Sequence, residues 1–128
     1  MKRGYEMMLL AHPEVTEEAL EGVLSKVART VEGRGGEVLG VERWGRRRLA
    51  YPVRRCQRGY YVVVRFLGEP QTVQELDGAL RYDEWVLRYQ IVRLEKSELR
   101  AILAARSERQ EGQEGGDRTD EAQEAQGM

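Results

Sequence analysis

The segment that decides the fold is "WGRRRLAYPVRRCQRGYYVVVRF", Trp44 to Phe66. Its last part, Tyr60 to Phe66, is a run of aromatic and β-branched residues, which favour strands. The preceding stretch from Glu37 is also rich in strand formers, and a polar connection, Arg54 to Gly59, separates the two. The pattern therefore predicts a long β-hairpin. Pro52 cannot donate a hydrogen bond to a neighbouring strand, so the first arm is expected at the edge of a sheet.

One helix is predicted on each side of this hairpin. Upstream, Thr16 is a candidate N-cap, and apolar residues follow at helical spacing as far as a cluster of glycines at 33–36. Downstream, Pro70 suits the first turn of a shorter helix. The apolar stripes of these two helices comprise Leu20, Val23, Leu24, Val27 and Val31, and Val73, Leu76 and Leu80.

Two further strands are predicted outside the helices, "GYEMMLLA" from Gly4 to Ala11 and "WVLRYQIVRLE" from Trp85 to Glu95. The resulting order is β-α-β-β-α-β. This order is typical of the ferredoxin-like, split β-α-β fold of the α+β class. We therefore expect a four-stranded antiparallel sheet with two helices on one face.

The character of the chain changes after residue 96. The segment "SELRAILAARSERQ" predicts a short helix capped by Ser97, and the remainder is rich in Glu, Gln and Gly without aromatic residues. Such a segment buries too little apolar surface to offset the entropy of ordering. The expected organisation is a ferredoxin-like domain at 1–96 and an acidic tail at 97–128 that is partly helical to disordered.

Composition excludes several classes of function. The 128 residues contain one cysteine, Cys56, and one histidine, His12, so neither an internal disulfide nor a Cys/His zinc cluster is expected. No apolar run approaches the roughly 20 residues of a membrane-spanning helix. A protein of the cytoplasm, without metal or cofactor, is the expectation.

Charge is segregated along the chain, although the net charge is only −1. Eight arginines and no acidic residue lie between Arg43 and Arg65, with Trp44, Tyr51 and Tyr60 among them. Arginine binds phosphate with two parallel hydrogen bonds and stacks on bases, so the hairpin predicts a nucleic-acid contact. Side chains alternate along a strand, so Arg46 and Arg48 should point one way and Arg47 the other.

The same alternation assigns the two faces of the sheet. Met7, Leu9, Val62, Val64, Phe66, Leu87, Tyr89 and Ile91 should face the helices. The opposite face, here called the outer face, should mix apolar and charged side chains. An exposed apolar patch of this kind is typical of a docking surface. The candidate surface for a protein or RNA partner comprises Met8, Leu10, Val63, Arg65, Gln90 and Val92.

Other functions fit less well but stay open. The stretch "RGYYVVVRF" resembles the third strand of RNA-recognition motifs, but Val62 and Arg65 stand where base-stacking aromatics should be. An acylphosphatase-like enzyme would need an arginine-rich loop after the first strand, where this chain has "HPEV". Two non-enzymatic alternatives are a module that binds an acidic protein through its basic hairpin and a small-molecule-binding regulatory domain of the same fold.

Several motifs together resemble the bacterial small-subunit ribosomal protein six family. They are "YEMMLLAHPE", "EVLGVERWGRRRLAYPV", "GYYVVVRF" and "EPQTVQELDGALRYDEWVLRYQIVR", followed by an acidic tail, and the resemblance covers about residues 2–94. It implies a non-enzymatic structural constituent of the small ribosomal subunit, without a cofactor, located on cytoplasmic ribosomes. It also implies binding to the central domain of small-subunit ribosomal RNA with ribosomal protein eighteen, in support of subunit assembly and translation.

The resemblance also implies which residues touch RNA. By motif match these are Lys2, Arg3 and Tyr5 at the start, Arg46, Arg47 and Arg48 in the hairpin, and Arg88 in the last strand. The basic character of the connection adds Arg55 and Arg58. The exposed apolar positions of the outer face are then the expected surface for the partner protein.

Overall fold

The computed structural model describes residues 2–112, without the side chains of 107–112. Its elements are β1 (Arg3–Ala11), α1 (Glu17–Gly33), β2 (Glu37–Val53), β3 (Cys56–Gly68), α2 (Pro70–Leu80), β4 (Val86–Arg93) and α3 (Lys96–Gly112). The four strands form one antiparallel sheet in the order β2-β3-β1-β4. The predicted ferredoxin-like architecture and the edge position of β2 are confirmed. The disorder expected for the end of the tail, 113–128, lies outside the described residues.

The main core lies between the sheet and the pair α1 and α2. Alternation along β1 and β3 turns one set of large side chains toward the helices, and the apolar stripes of the helices meet them. The most deeply buried members include Met7, Leu9, Val62, Val64, Phe66, Leu20, Val27, Val31, Leu76 and Leu80. Burying one such side chain contributes about 1.5–3 kcal/mol, so this layer fixes the orientation of the strands.

The helix starts follow their sequence signals. The hydroxyl of Thr16 accepts a hydrogen bond from the backbone N–H of Ala19 at 3.0 Å, as expected for an N-cap. Helix α2 begins at Pro70, as predicted. Its first turn is closed by Thr72, a fully buried residue whose hydroxyl accepts a hydrogen bond from the N–H of Glu69 at 3.2 Å.

At the start of β4, the side chains that face the core are not the ones that were predicted. A bulge beside Leu10 and Ala11 pairs Val86 with Ala11 and Arg88 with Leu10. Val86 therefore joins the main core, whereas Leu87, which was expected there, is buried outside that cluster. Alternation alone cannot detect a bulge that lies in the pairing of two strands.

Strand β2 is interrupted three times along its pairing with β3. Register shifts lie between Val38 and Gly40, between Arg43 and Gly45, and between Arg48 and Val53. The last shift sets four residues of β2, 49–52, opposite Gln57 alone. These four residues, here called the hairpin bulge, leave the ladder and bend toward the outer face, where three of them line a groove.

The hairpin turn is tighter than predicted. Val53 pairs with Cys56, so the connection is the two residues Arg54 and Arg55 rather than the six-residue stretch to Gly59. Both adopt positive φ angles, 50° and 68°, a region that side chains with a Cβ rarely occupy. This is the pattern of a type I′ turn, which Asn-Gly normally provides. Two arginines thus occupy a strained position at the tip of the hairpin.

Helix α3 lies on the outer face, so the second face of the sheet is not fully open. A Cβ added to Gly4, on the outer side of β1, would lie 3.0 Å from Leu99 of α3. Farther along the helix, Arg106 forms an ion pair with Glu37 of β2 at 2.7 Å. From Lys96 to Arg106 a helix rises about 15 Å, close to three strand spacings, which matches a path across the sheet. The packed unit therefore extends beyond residue 96.

The start of α3 also differs in detail from the prediction. The helix begins at Lys96, so Ser97 lies within its first turn rather than at the cap. The carboxylate of Glu98 instead accepts a hydrogen bond from the backbone N–H of Glu95 at 2.8 Å.

Candidate nucleic-acid interface

The three consecutive arginines alternate across the sheet, as predicted. Arg46 pairs with Tyr60, Arg47 with Gly59 and Arg48 with Arg58, without a register shift among them. The ring of Tyr60 packs against the main core, so Arg46 and Arg48 share the helix side. Arg47 lies on the outer side with Gly59.

Arg46 is held by the protein itself. Its Nε donates a hydrogen bond to the carbonyl of Pro13 at 2.6 Å, and its Nη2 donates one to the carbonyl of Val15 at 3.1 Å. Its guanidinium also lies 5.3 Å from the ring centre of Tyr60. Arg46 therefore ties β2 to the loop between β1 and α1, with fewer donors left for a ligand.

Arg47 and Arg48 are presented to solvent in different ways. Arg47 stacks over the indole of Trp44 at 5.5 Å, and that indole lies beside Tyr61 at 6.5 Å between ring centres. Arg48 and Arg58 face each other across the hairpin and are exposed. Among the described side chains, which end at Arg106, neither Arg48 nor Arg58 has a salt bridge or side-chain hydrogen bond.

The tip of the hairpin bends toward β4. The Nη1 of Arg54 lies 3.5 Å from the carbonyl of Val86, while the neighbouring Arg55 is exposed. On β4, Arg88 donates a hydrogen bond to the hydroxyl of Tyr51 at 3.0 Å, and its guanidinium lies 5.9 Å from the centre of that ring. The structure thus brings Arg46, Arg47, Arg48, Arg55, Arg58 and Arg88 to one end of the sheet, here called the hairpin end.

Two arginines of the same sequence cluster are neutralised internally. Arg43 forms ion pairs with Glu17 at 2.7 Å and Glu21 at 2.5 Å, both on α1. The hydrogen bond from Arg43 holds the pKa of Glu17 below its ordinary value. Arg65 pairs with Glu6 and Glu42, each at 3.0 Å. The pKa of Glu42 is also lowered, first by the hydrogen bond from the indole N–H of Trp44 and further by Arg65.

The N-terminal candidates do not join the hairpin end. Lys2 and Arg3 lie at the start of β1, about 24 Å along the strand from the position that pairs with Arg88. Tyr5 is 7% exposed and stacks on Phe66 at 5.4 Å. Its ring is therefore part of the core, which leaves little of its surface for the expected RNA contact.

Lys2 and Arg3 border a separate basic cleft at the junction of β4 and α3. Arg93 and Lys96 complete this group of cations. The grouping of these four residues was not predicted from the sequence, although basic residues are present at the end of the last strand. Their assembly depends on where α3 packs, which residue spacing does not fix.

The outer face is less apolar at its surface than predicted. Leu10 is 3% and Val63 1% exposed, so these two members of the expected docking surface are buried. Helix α3 covers one end of this face, and the hairpin bulge covers the other. Among the six expected members, Val92 is 44% exposed, Gln90 is exposed, and Met8 and Arg65 are partly exposed.

A groove of 560 Å³ lies on the outer face at the hairpin end. The hairpin bulge forms one wall, and the floor and opposite wall come from β1, β3 and β4. Its lining residues are Met8, Leu10, Leu49, Ala50, Tyr51, Val53, Tyr61, Arg88, Tyr89 and Gln90. The groove was not predicted from the sequence, because the alternation of residue types along a strand does not reveal a four-residue bulge.

The described part of the chain contains no cluster of His, Cys, Asp or Glu suited to a metal ion. Within the same residues, no helix is both long and apolar enough to cross a membrane. The chemistry of the hairpin end is therefore that of guanidinium groups and aromatic rings on a rigid sheet, which suits phosphates and bases.

Comparison with known proteins gives the family. The family model described as ribosomal protein S6 matches residues 4–93, which is most of the chain. The chain belongs to the ribosomal protein S6 family. This confirms the resemblance found in the sequence motifs. Proteins of this family are structural proteins of the small ribosomal subunit rather than enzymes.

Individual relatives agree with this assignment. The small ribosomal subunit protein bS6 of Carboxydothermus hydrogenoformans is 41% identical over 96 residues, covering 75% of this chain and all of the relative. The corresponding protein of Micrococcus luteus is 41% identical over 99 residues, covering 77% and 98%. The crystal structure of 30S ribosomal protein S6 from Thermotoga maritima superimposes with a TM-score of 0.71 at 32% identity, covering 82% of this chain and 99% of that one.

Proposed function

We propose that this protein binds the central domain of small-subunit ribosomal RNA together with ribosomal protein eighteen, and so supports assembly of the subunit. One observation carries the RNA part of the proposal. At the hairpin end, Arg47, Arg48, Arg55 and Arg58 are exposed, and none of the described acidic side chains pairs with them. Unneutralised arginines at a rigid surface favour phosphate, because each contact releases condensed counterions.

The arginines of the hairpin end differ in the roles that we assign to them. Arg48 and Arg58 face each other across two paired strands and are suited to neighbouring phosphates. Arg47 lies on the opposite side of the strand and presents a guanidinium stacked on Trp44. Because the two sides cannot meet the same phosphate, the hairpin is expected to insert between segments of RNA. Lys2 and Arg3, at the far end of β1, would contact a different segment.

We test the RNA contact by its salt dependence. The double substitution Arg47→Ala with Arg48→Ala is expected to weaken binding to a central-domain RNA fragment and to reduce the slope of log K against log salt by roughly one unit per contact. Filter binding over a range of KCl concentrations measures this slope. The matched control is Arg29→Ala with Arg81→Ala, which removes the same charge from α1 and from the residue that follows α2. A slope that stays at the wild-type value in the hairpin variant would remove these residues from the interface.

For the partner protein we propose the middle of the outer face, between α3 and the groove. Val92 supplies exposed apolar surface there, beside Glu6, with which it pairs in register. The ion pairs of Arg65 with Glu6 and Glu42 add polar groups that can define the orientation of a partner. Met8 and Gln90 lie at the border between this surface and the groove.

A pair of exposed valines tests the partner surface. Val92→Arg is expected to weaken binding of purified ribosomal protein eighteen, because it places a charge in an apolar contact. Val41 is equally exposed, at 45% against 44%, but its pairing with Val64 places it on the helix side. Val41→Arg is therefore the control. Equal titration curves in calorimetry for both variants would exclude this surface.

A further inference from the structure

We propose that the groove at the hairpin end takes one unpaired base of the bound RNA, stacked on the ring of Tyr51. This inference rests on the proposed function and makes it more specific. It divides recognition into phosphate contacts from the arginines of the hairpin and a stacking contact from an aromatic ring. It also implies that the protein prefers RNA with an unstacked nucleotide over a continuous duplex.

The ring of Tyr51 has the features of a stacking platform. It is 59% exposed although it lies at the mouth of a formed groove. Its hydroxyl accepts a hydrogen bond from Arg88 at 3.0 Å, which holds the ring beside β4. Exposed aromatic rings that are held in place bind single-stranded bases, since every base has a π-face.

Arg88 complements the ring in two ways. Its guanidinium lies over the Tyr51 ring, 5.9 Å from the ring centre, while the ring as a whole stays 59% exposed, so a base would stack on the part of the ring that Arg88 leaves uncovered. It also brings positive charge to the groove, where the phosphate attached to an inserted base would lie. Gln90, on the same side of β4, offers an amide that can both donate to and accept from the edge of a base.

Charge favours a nucleotide over an apolar peptide as the occupant. Among the described residues that line the groove there is no Asp or Glu, whereas Arg88 lines it directly. Arg54 and Arg55 form the turn that continues from the hairpin bulge, and Arg47 is exposed on the same outer side. The volume of 560 Å³ lies within the usual range for small-molecule sites, and its floor of Met8 and Leu10 suits the apolar plane of a base.

The test compares single-stranded and duplex RNA of equal charge. Tyr51→Leu is expected to weaken binding of a single-stranded oligonucleotide roughly tenfold, as for the loss of one base–aromatic stack, and to leave duplex binding within about twofold. Tyr51→Phe keeps the ring and should retain binding. Tyr82→Leu, at a position 87% exposed in the connection between α2 and β4, is the matched control. Fluorescence anisotropy at fixed salt measures each affinity.

A 2-aminopurine base in the oligonucleotide gives an independent readout. Stacking on Tyr51 should quench its fluorescence with wild-type protein and with Tyr51→Phe, but not with Tyr51→Leu. Arg88→Lys, which keeps the charge and loses the planar group, should reduce the quenching while the salt slope stays unchanged. Unchanged binding by Tyr51→Leu, or an equal loss for duplex RNA, would overturn the proposal and leave the groove to another occupant such as a peptide.

The two proposals fail separately. If the salt slope falls in the Arg47 and Arg48 variant while Tyr51→Leu has no effect, the hairpin contacts RNA and the groove does not hold a base. If the salt slope is unaffected and 2-aminopurine is not quenched, the hairpin end is not an RNA surface at all.

Discussion

The two halves of the hairpin contain the same residue type and use it differently. In the half next to α1, Arg43 is paired with two glutamates and Arg46 is bound to two carbonyls. In the half beyond the helices, none of the acidic side chains that the structure describes pairs with Arg48, Arg55 or Arg58. The difference follows from the position of α1, whose first turns place Glu17 and Glu21 beside the first half, whereas no described acidic side chain pairs with an arginine of the second. The number of arginines therefore overestimates how many are available to bind RNA. Which of them are available depends on where the neighbouring acidic residues lie.

The largest expected effect on stability comes from the packing of the half beyond the helices against β1. A Cβ at Gly59 would overlap Leu10, which is itself buried, so the hairpin lies close to β1 only because this position has no side chain. Gly59→Ala is expected to lower the free energy of unfolding by about 1–3 kcal/mol. Gly40→Ala, where an added Cβ meets nothing within 4 Å, is the control. Urea denaturation measures both, and a neutral Gly59→Ala would contradict this packing.

A second experiment compares neighbouring arginines on one side of the strand. Arg46→Ala removes two hydrogen bonds from a charged group and is expected to destabilise the protein by about 1–2 kcal/mol. Arg48→Ala removes an unpaired surface charge and should change stability by less than about 0.5 kcal/mol while weakening RNA binding. Thermal unfolding and filter binding together separate the two roles. Equal effects of the two substitutions on stability would contradict the structural role assigned to Arg46.

The strained turn at the tip predicts a gain in stability. Replacing Arg54 by Asn and Arg55 by Gly supplies residues that tolerate the positive φ angles, with an expected gain of about 1 kcal/mol. RNA affinity should fall at the same time, because two cations are lost from the hairpin end. Arg58→Asn, in a regular strand position, should reduce affinity without the gain in stability. A lower unfolding midpoint for the turn variant would show that the arginines stabilise the tip.

The smallest expected effect is a pH dependence of the stability that the half next to α1 contributes. Because Arg43 lowers the pKa of Glu17 below 4.5, the pair stabilises the fold above that pH and loses its effect as the pH falls through the lowered value. Glu17 is 68% exposed, so Arg43→Gln should cost only about 0.5 kcal/mol at neutral pH. The difference from wild type should shrink as the pH falls below the ordinary range of a glutamate carboxyl. Urea midpoints across the acidic range measure it, and a constant difference would point to another cause.

The sequence predicts the architecture well because local signals are strong. Thr16, Pro70 and the apolar stripes of α1 and α2 define the helices, and the alternation in β3 defines one side of the sheet. It predicts the surface less well. Leu10 and Val63 were expected to be exposed but are buried, and strand alternation does not show that α3 and the hairpin bulge pack on this face.

A different reason applies to Tyr5, which has the same strand parity as Met7 and Leu9 and therefore faces the helices. Tyr5 matches a family motif, yet its ring stacks on Phe66, because its place in β1 turns it toward the helices. The alternation of Arg46, Arg47 and Arg48 was predictable, since the register is unbroken over these three positions. The partners of Arg46 were not predictable, because the loop from Pro13 to Val15 meets β2 only in the folded protein.

The irregular pairing of β2 has a consequence for the protein before it meets its RNA. A long edge strand exposes a row of unpaired backbone groups, on which a second chain can add a strand and begin to aggregate. Here the three register shifts divide the 17 residues of β2 into short regular stretches, and Pro52 removes one donor. No long straight edge is left for another molecule to extend. The interruptions that aim the hairpin are thus also expected to keep the free protein from self-association at this edge.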